Sequence, residues 1–236
     1  MYLIRSARWD DPAEIRRHPE LWRRVRRFNL PVQLAVAAGE EVAAAAEDPA
    51  RAALVSLAPV HSGSPELLDA IRSVGEGAAV RAPRVNPVLT LHAVDNLALS
   101  ALAISLRNQA YGLGLGGGAG QGWVALEVAW ERIADGREEE VLVVAGDQDA
   151  AGAAGLAVAL LFARRPRPYP PLGREVRLAA VSRAPAAAVP VEPHAATGLA
   201  GLLTELGNAT PGRWDYRVPA EHGDGRDRPE LAWEVA

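Results

Sequence analysis

One stretch, Tyr111–Asp149, constrains the fold of this 236-residue chain more than any other. It begins with the glycine-dense segment Gly112–Gly122, which predicts a tight turn because glycine permits backbone angles and close approaches that a Cβ excludes. Apolar residues at helical spacing follow over Trp123–Ile133 and predict a buried helix that ends at Asp135–Gly136. The short apolar run Val141–Ala145 then predicts a buried strand. Turn, helix and strand in this order are parts of an α/β core, and we expect an active site, or its remains, at the turn.

Composition excludes several classes of protein. The formal net charge of -4 argues against a nucleic-acid binder, and the absence of cysteine excludes disulfides, thiolate metal sites and a cysteine nucleophile. No apolar run reaches the roughly 18 residues of a membrane span, and the first residues lack the layout of a signal peptide. We therefore expect a cytoplasmic protein without a membrane span, a metal or a cofactor.

The remaining sequence predicts one domain over residues 1–236, with its core at about 31–182. Apolar runs predict buried strands over Ala52–Ala58 and Gly155–Ala163, and a partly exposed strand over Arg174–Ser182. Helices are expected at residues 32–46, 94–105 and 197–206, and a short first strand at 2–4. Residues 183–236 are expected to be a C-terminal helix and a turn-rich docking tail.

A basic amphipathic stretch, Ala13–Phe28, contains six arginines. Its candidate contacts to an acidic partner, such as the helix of a carrier protein, are Arg23, Arg24, Arg26 and Arg27. The alternative is a solvated helix face whose arginine stems cover apolar surface.

Two kinds of site suit the glycine-dense segment. Gly112, Gly114 and Gly117 satisfy the G-x-G-x-x-G pattern of a phosphate loop, which would suit a nucleotide-dependent oxidoreductase or transferase. However, the polar residues 107–110 before it do not suit the buried strand that such a loop follows. The other interpretation is a nucleophile elbow, but no Ser, Cys or Thr lies between Tyr111 and Asp149. An elbow without a nucleophile indicates a catalytic fold without its chemistry.

The order of these motifs resembles the N-terminal half of a β-ketoacyl synthase of the thiolase-like superfamily. Residues 86–106, NPVLTLHAVDNLALSALAISL, are similar to the segment in which these enzymes carry a proline, an apolar run and an Asn that begins a helix. Residues 116–149 resemble their catalytic turn, buried helix, helix end and following strand. The resemblance covers about residues 31–163. It is closest to the short stand-alone chain-length factors of aryl-polyene-type pathways.

This resemblance implies an α/β thiolase-like half: a mixed β-sheet with helices on both faces and a buried central helix. It places Ala119 at the position of the nucleophilic cysteine and Gln121 nearby. It therefore implies that this chain has no catalytic residue. The two catalytic histidines of the family lie in its C-terminal half, which we do not expect in this chain, and His194 and His222 match no motif.

The implied function is a non-catalytic subunit that pairs with a complete ketosynthase, shapes its acyl tunnel and contacts an acyl carrier protein in fatty-acid or polyketide-like biosynthesis. The tunnel or interface candidates are Asp95, Asn96, Tyr111, Ala119 and Gln121. For Asp95 and Asn96 the alternative is helix capping. A homodimeric pseudo-enzyme, or a weak decarboxylase that uses Gln121, remain alternatives.

Overall fold

The computed structural model describes residues 1–60, 72, 96–118, 120–149, 154–168, 174–185, 195–217 and 227–236. Within these ranges, one eight-stranded sheet lies between two layers of helices. None of the helices in this part of the chain is long and apolar enough to cross a membrane.

The sheet is mixed. Its strands are β1 (Tyr2–Trp9), β2 (Ala53–Leu57), β3 (Gly112–Leu115), β4 (Glu140–Gln148), β5 (Gly155–Ala163), β6 (Val176–Pro185), β7 (Gly212–Arg217) and β8 (Asp227–Val235), in the order β3-β2-β4-β5-β1-β6-β8-β7. Strand β2 runs parallel to β3 and β4, whereas the other neighbouring pairs are antiparallel. Strands β3 and β7 are therefore the two edges of the sheet among the described strands.

The helices cover both faces. They are α1 (Pro12–Arg16), α2 (Pro19–Val25), α3 (Leu30–Ala43), α4 (Leu97–Ser105), α5 (Gln121–Ala134) and α6 (Ala195–Asn208). One hydrophobic core lies between the sheet and α3 with α4, and α1 and α2 pack beyond it. A second core lies between the sheet and α5 with α6. This arrangement confirms the predicted mixed sheet with helices on both faces.

Long apolar runs predicted the central elements well, because an element covered on both faces has little room for polar residues. All five residues of β2 are buried, as are eight of the nine in β4. The predicted helix ending at Asp135–Gly136 is α5, and Gly136 takes the left-handed conformation, with φ of 75°.

Three predictions differ from the structure. The glycine-dense segment is not a turn throughout, because Gly112–Leu115 forms β3 and pairs with β2 from Leu54 to Leu57. The segment with six arginines is two short helices, since Pro19 begins a second one and cannot continue the first. The turn-rich tail instead contributes β7 and β8, which extend the sheet through β6.

Glycines in β4 and β5 let helix α3 lie directly on the sheet. A Cβ on Gly146 would come 2.6 Å from the Pro31 carbonyl oxygen, and one on Gly155 would come 2.6 Å from Leu34 Cδ1. Ten of the fourteen residues of α3 are buried as a result. This helix is thereby fixed against the middle of the sheet.

A buried ion pair lies at the opposite end of β4. Glu140 is 7% exposed and pairs with Arg167, whose guanidinium also donates to the Ala45 carbonyl after α3. The Glu47 carboxylate lies 3.3 Å from the same arginine. Burial raises the pKa of the Glu140 carboxyl above its ordinary value, and Arg167 opposes that rise.

We expect Arg167→Met to lower the free energy of unfolding by about 3 kcal/mol at about pH 7, because it leaves the Glu140 carboxylate buried without its countercharge. Without Arg167 the pKa of Glu140 rises further. Lowering the pH to about 4 then protonates this carboxyl and relieves part of the cost. Urea unfolding at both pH values measures the difference. Arg165→Met, at an exposed neighbour, is the control, and an equal loss at both pH values for Arg167→Met would contradict the account.

Candidate functional site

The candidate site lies where the parallel strands β2 and β4 end, since the carboxyl ends of parallel strands meet at one edge of a sheet. Asp147, near the end of β4, is 5% exposed, and its Oδ2 accepts a hydrogen bond from the Val60 N–H at 3.1 Å. Its Oδ1 accepts another from the Gln148 N–H at 2.8 Å. The Asp147 carboxylate therefore fixes the chain that leaves β2 against the end of β4.

The turn between β3 and α5 is packed against this edge at Gly117. A Cβ built on Gly117 would lie 1.6 Å from the Ala58 carbonyl oxygen, far inside van der Waals contact. The carbonyl of Gly117 accepts a hydrogen bond from the Ala195 N–H, the first residue of α6, at 2.9 Å. Only glycine fits at this point, and the turn is clamped between β2 and α6.

Helix α5 begins directly after the turn. Gly120 precedes it with φ of 75°, a left-handed conformation that glycine adopts without strain. Gln121 is the first helical residue and is half-buried. At Gly122 the helix crosses α6 so closely that a Cβ would lie 3.1 Å from Leu199 Cγ and 3.2 Å from the Ala195 carbonyl oxygen.

A cavity of about 260 Å³ opens beside this arrangement. It is lined by the end of β4, the start of β5 and one residue of α6: Asp147, Gln148, Asp149, Ala154, Gly155, Leu156 and Thr197. Sequence analysis did not identify any of the α6 residues that line the site. Their helical period predicts only that α6 is amphipathic.

The described part of the chain contains no nucleophile and base in contact at this turn. Neither the turn nor α5 has a Ser, Thr or Cys, and His18, which lies beside Trp9, is the only histidine within the described ranges. No group of three or more metal-ligating side chains occurs in the residues that the structure describes. What the described residues provide is a rigid turn, with no pair of groups that could carry out acyl transfer.

Two of the predicted tunnel or interface residues lie at edge strand β3. Tyr111 directly precedes β3, and the Arg132 guanidinium lies 3.4 Å from the centre of its ring while pairing with Glu138 at 2.7 Å. Asn96 is exposed at the start of α4, with its side chain beside Gly114 of the same strand. Asn96 makes no side-chain cap to α4, so its predicted capping role is not observed.

Several predicted residues lie outside the described part of the chain. They are Asp95, Ala119, His194 and His222. The roles assigned to them on the sequence therefore stay predictions.

The four predicted carrier-contact arginines are all exposed on α2 and the residues after it. Arg23 pairs with Glu20 at 2.6 Å. Arg24 makes a two-pronged contact with Glu40 of α3, at 2.5 and 2.6 Å, and its Nη1 also contacts Ser105 Oγ of α4 at 2.5 Å. Arg24 thus joins three helices, whereas contact with a carrier protein stays a prediction.

The sequence did not single out the most exposed large apolar side chain of the described residues, which is Ile104 of α4, 79% exposed. Helix α4 packs over β2 and β3, so Ile104 belongs to the same side of the molecule as the edge strand. Helix α4, LALSALAIS, is mostly apolar, and its exposed face carries Ser100 together with Ile104. The exposure of Ile104 marks an apolar position without cover in this chain.

The geometry does not suit the phosphate-loop hypothesis. Gly112 and Gly114 belong to strand β3, not to a loop that leads from a strand into a helix. A phosphate loop places its glycines between the strand end and the helix N-terminus so that backbone N–H groups converge on the phosphate. The G-x-G-x-x-G match is therefore a product of glycine abundance.

Solved structures with the same fold are ketosynthases and chain length factors. A chain of the complex between the ketosynthase ApeO and its chain length factor ApeC from Xenorhabdus doucetiae matches with a TM-score of 0.58 and 15% identity, covering 89% of this chain and 79% of that one. A chain of the ishigamide ketosynthase/chain length factor matches with a TM-score of 0.50 and 19% identity, covering 69% of this chain and 51% of that one. No protein-family model matches the sequence, and no curated protein matches it.

These likenesses establish the fold. The chain spans about half the length of the ishigamide protein, and both identities are low. The two matches therefore show the fold of this chain and not its activity. The predicted resemblance to ketosynthases and chain length factors is confirmed at this level: the chain has a thiolase-like α/β fold of the ketosynthase type.

We expect Gly117→Ala to lower the free energy of unfolding by about 3 kcal/mol, because the new methyl group must push the turn away from the Ala58 carbonyl. Gly118→Ala is the matched control, since nothing lies within 4 Å of a Cβ at that position. Urea unfolding of both variants measures the effect. Equal stability of the two would show that the turn is not clamped as described.

Proposed function

We propose that this chain is a non-catalytic, chain-length-factor-like subunit that pairs with a complete ketosynthase in fatty-acid or polyketide-like biosynthesis. In this role it shapes the acyl tunnel of its partner and contributes to the surface that meets the acyl carrier protein. The observation that carries the proposal is a clamped turn and buried helix of the ketosynthase fold in which the described residues hold no catalytic set.

The turn supports this role because its packing is intact although its chemistry is not. Gly117, Gly120 and Gly122 each hold backbone in a position that excludes or strains a side chain. Glycine loses more conformational entropy on folding than other residues, so these three positions lower the stability in exchange for the shape of the turn. A subunit that contributes shape to a partner's tunnel needs the turn without the nucleophile.

The edge of the sheet supports pairing with another protein. Strand β3 has a hydrogen-bonded neighbour on one side only among the described strands, and an edge of this kind is a template for another chain. Helix α4, which packs on β3, exposes Ile104, and Asn96 and Tyr111 lie at the two ends of the same region. Edge strand, apolar helix and predicted interface residues therefore form one surface, which we call the β3–α4 edge.

The exposed Ile104 beside a strand edge that is unpaired among the described strands supports a contact with another molecule at this surface. The ApeO–ApeC structure is by its printed description a ketosynthase in complex with its chain length factor. A ketosynthase is accordingly the partner that the proposal assigns to the β3–α4 edge.

Restoring the residue type of the nucleophile does not create an enzyme on this account. We expect Ala119→Cys alone to give no ketosynthase activity above background, measured as release of CO2 from malonyl-carrier protein in the presence of an acyl donor, because a thiolate also needs groups that activate malonate. Alkylation with iodoacetamide followed by mass spectrometry is the control that the new thiol is accessible. Condensing activity of the isolated variant would contradict the absence of a catalytic set.

The pairing is tested by co-expression with the ketosynthase encoded nearest to this chain, followed by size-exclusion chromatography with light scattering. We expect a mixed complex, and we expect Ile104→Glu to raise its Kd at least about tenfold, because a charge at an apolar contact must be desolvated. Ala134→Glu, at an exposed residue ending α5 on the other face, is the matched control.

Binding that ignores Ile104→Glu would place the contact elsewhere. A stable homodimer that ignores the ketosynthase would favour the homodimeric pseudo-enzyme instead.

A further inference from the structure

Charge is distributed very unevenly along this chain. Residues 12–28 contain six arginines and two glutamates, a formal charge of +4, in a chain whose total is -4. All six arginines are exposed on α1, α2 and the residues that follow: Arg16, Arg17, Arg23, Arg24, Arg26 and Arg27. We call this the arginine surface. It is one of two strongly basic segments in a chain that is acidic in total.

The arginine surface adjoins the β3–α4 edge. Arg24 of α2 contacts Ser105, the last residue of α4, and Ser105 in turn donates to Glu40 of α3. Ser105 is next in the chain to the exposed Ile104. Arg24 therefore places the arginine surface beside the C-terminal end of α4.

The edge itself contains no acidic residue to balance them. Residues 96–118, which comprise α4, β3 and the loops around them, contain no Asp or Glu, and Arg107 is the one charged residue in that range. Arg107 is exposed. Two carboxylates of this region are already engaged, since Glu20 pairs with Arg23 and Glu40 with Arg24, whereas Glu14 of α1 is exposed close to Arg16 and Arg17.

These charges bear on which molecule can cover the edge. A two-fold contact between identical chains brings the same surface onto itself, so that surface must be self-complementary. An apolar edge flanked by arginines, and without acidic residues of its own, is not. Like charges brought together at an interface suppress association, whereas opposite charges steer and select a partner.

Resting on the proposed function, we infer that the β3–α4 edge and its arginine surface select a different chain, a ketosynthase whose matching flank is acidic, and disfavour a second copy of this one. The arginines supply the specificity and a faster association rate. The apolar edge supplies most of the buried contact.

Two other anionic partners fit the arginine surface less well. An amphipathic helix on a membrane must bury an apolar face in the lipid, but Leu21, Trp22 and Phe28 are half-buried against this protein's own core. A nucleic acid carries negative charge along its whole length, so its phosphates are repelled by the remaining residues of the chain, whose formal charge is -8. An acidic patch on a protein is small enough to contact the arginine surface without contacting the acidic remainder of the chain.

The experiment measures the Kd of the complex with the co-expressed ketosynthase at about 50 and 500 mM NaCl. We expect the Kd to rise about tenfold with salt, because the opposing charges are screened. The double variant Arg17→Glu with Arg26→Glu is expected to raise the Kd about tenfold at low salt and to abolish most of the salt dependence. Arg137→Glu with Arg165→Glu, at two exposed arginines near the ends of α5 and β5, is the matched control and is expected to leave the Kd unchanged.

The two proposals fail in different ways. If no complex forms at either salt concentration, the proposed function fails. If the complex forms with a Kd that neither salt nor Arg17→Glu with Arg26→Glu changes, only the inference about charge is overturned. It is likewise overturned if the wild-type chain alone forms a homodimer at low salt by light scattering. Binding to phosphatidylglycerol vesicles or to duplex DNA that this double variant abolishes would assign the surface to those partners instead.

Discussion

The packing of Gly117 on the Ala58 carbonyl is the contact on which the arrangement of this end of the molecule depends. It brings the turn after β3 onto the end of β2, and the Ala195 N–H then joins α6 to the same turn. Helix α5 starts at Gln121, four residues after Gly117, whose carbonyl accepts the Ala195 N–H. Asp147 completes the arrangement by holding the backbone after β2 against β4. The shape of this turn is thus built from backbone contacts.

Two other glycines, Gly112 and Gly114, lie in β3, which is an edge of the sheet among the described strands. Strand β3 is only four residues long and reads GLGL, with exposed and half-buried positions alternating, so its side chains contribute little to a core. A short strand that contains glycine adds little stability of its own, so β3 depends on the elements that pack against it. Helix α4 covers it on one face, and the exposure of Ile104 shows where that cover stops. Partner binding at this edge would complete the sheet of a chain whose opposite edge already has β6, β8 and β7 added to it.

Sequence patterns predicted the interior of this fold and missed its edges for one physical reason. Strands β2, β4 and β5 are buried on both faces, so their residues are almost all apolar and the pattern is unambiguous. Strand β3 and the tail strands β7 and β8 contain glycine, proline or charged residues, and they became strands through pairing with distant segments, which no local pattern records. At the site, the turn and α5 were predicted from Gly112–Gly136. The contact of Gly117 with Ala58 and the contribution of α6 were not, because they join segments that lie far apart in sequence.

The central claim is that the β3–α4 edge is the surface that another protein covers. Hydrogen–deuterium exchange of this chain, with and without the co-expressed ketosynthase, tests that claim most directly because it reports on each backbone segment separately. The account predicts slower exchange at Gly112–Leu115 and in α4 upon complex formation, with no change at the opposite edge strand β7. Protection of β7 with unchanged exchange at β3 and α4 would contradict it.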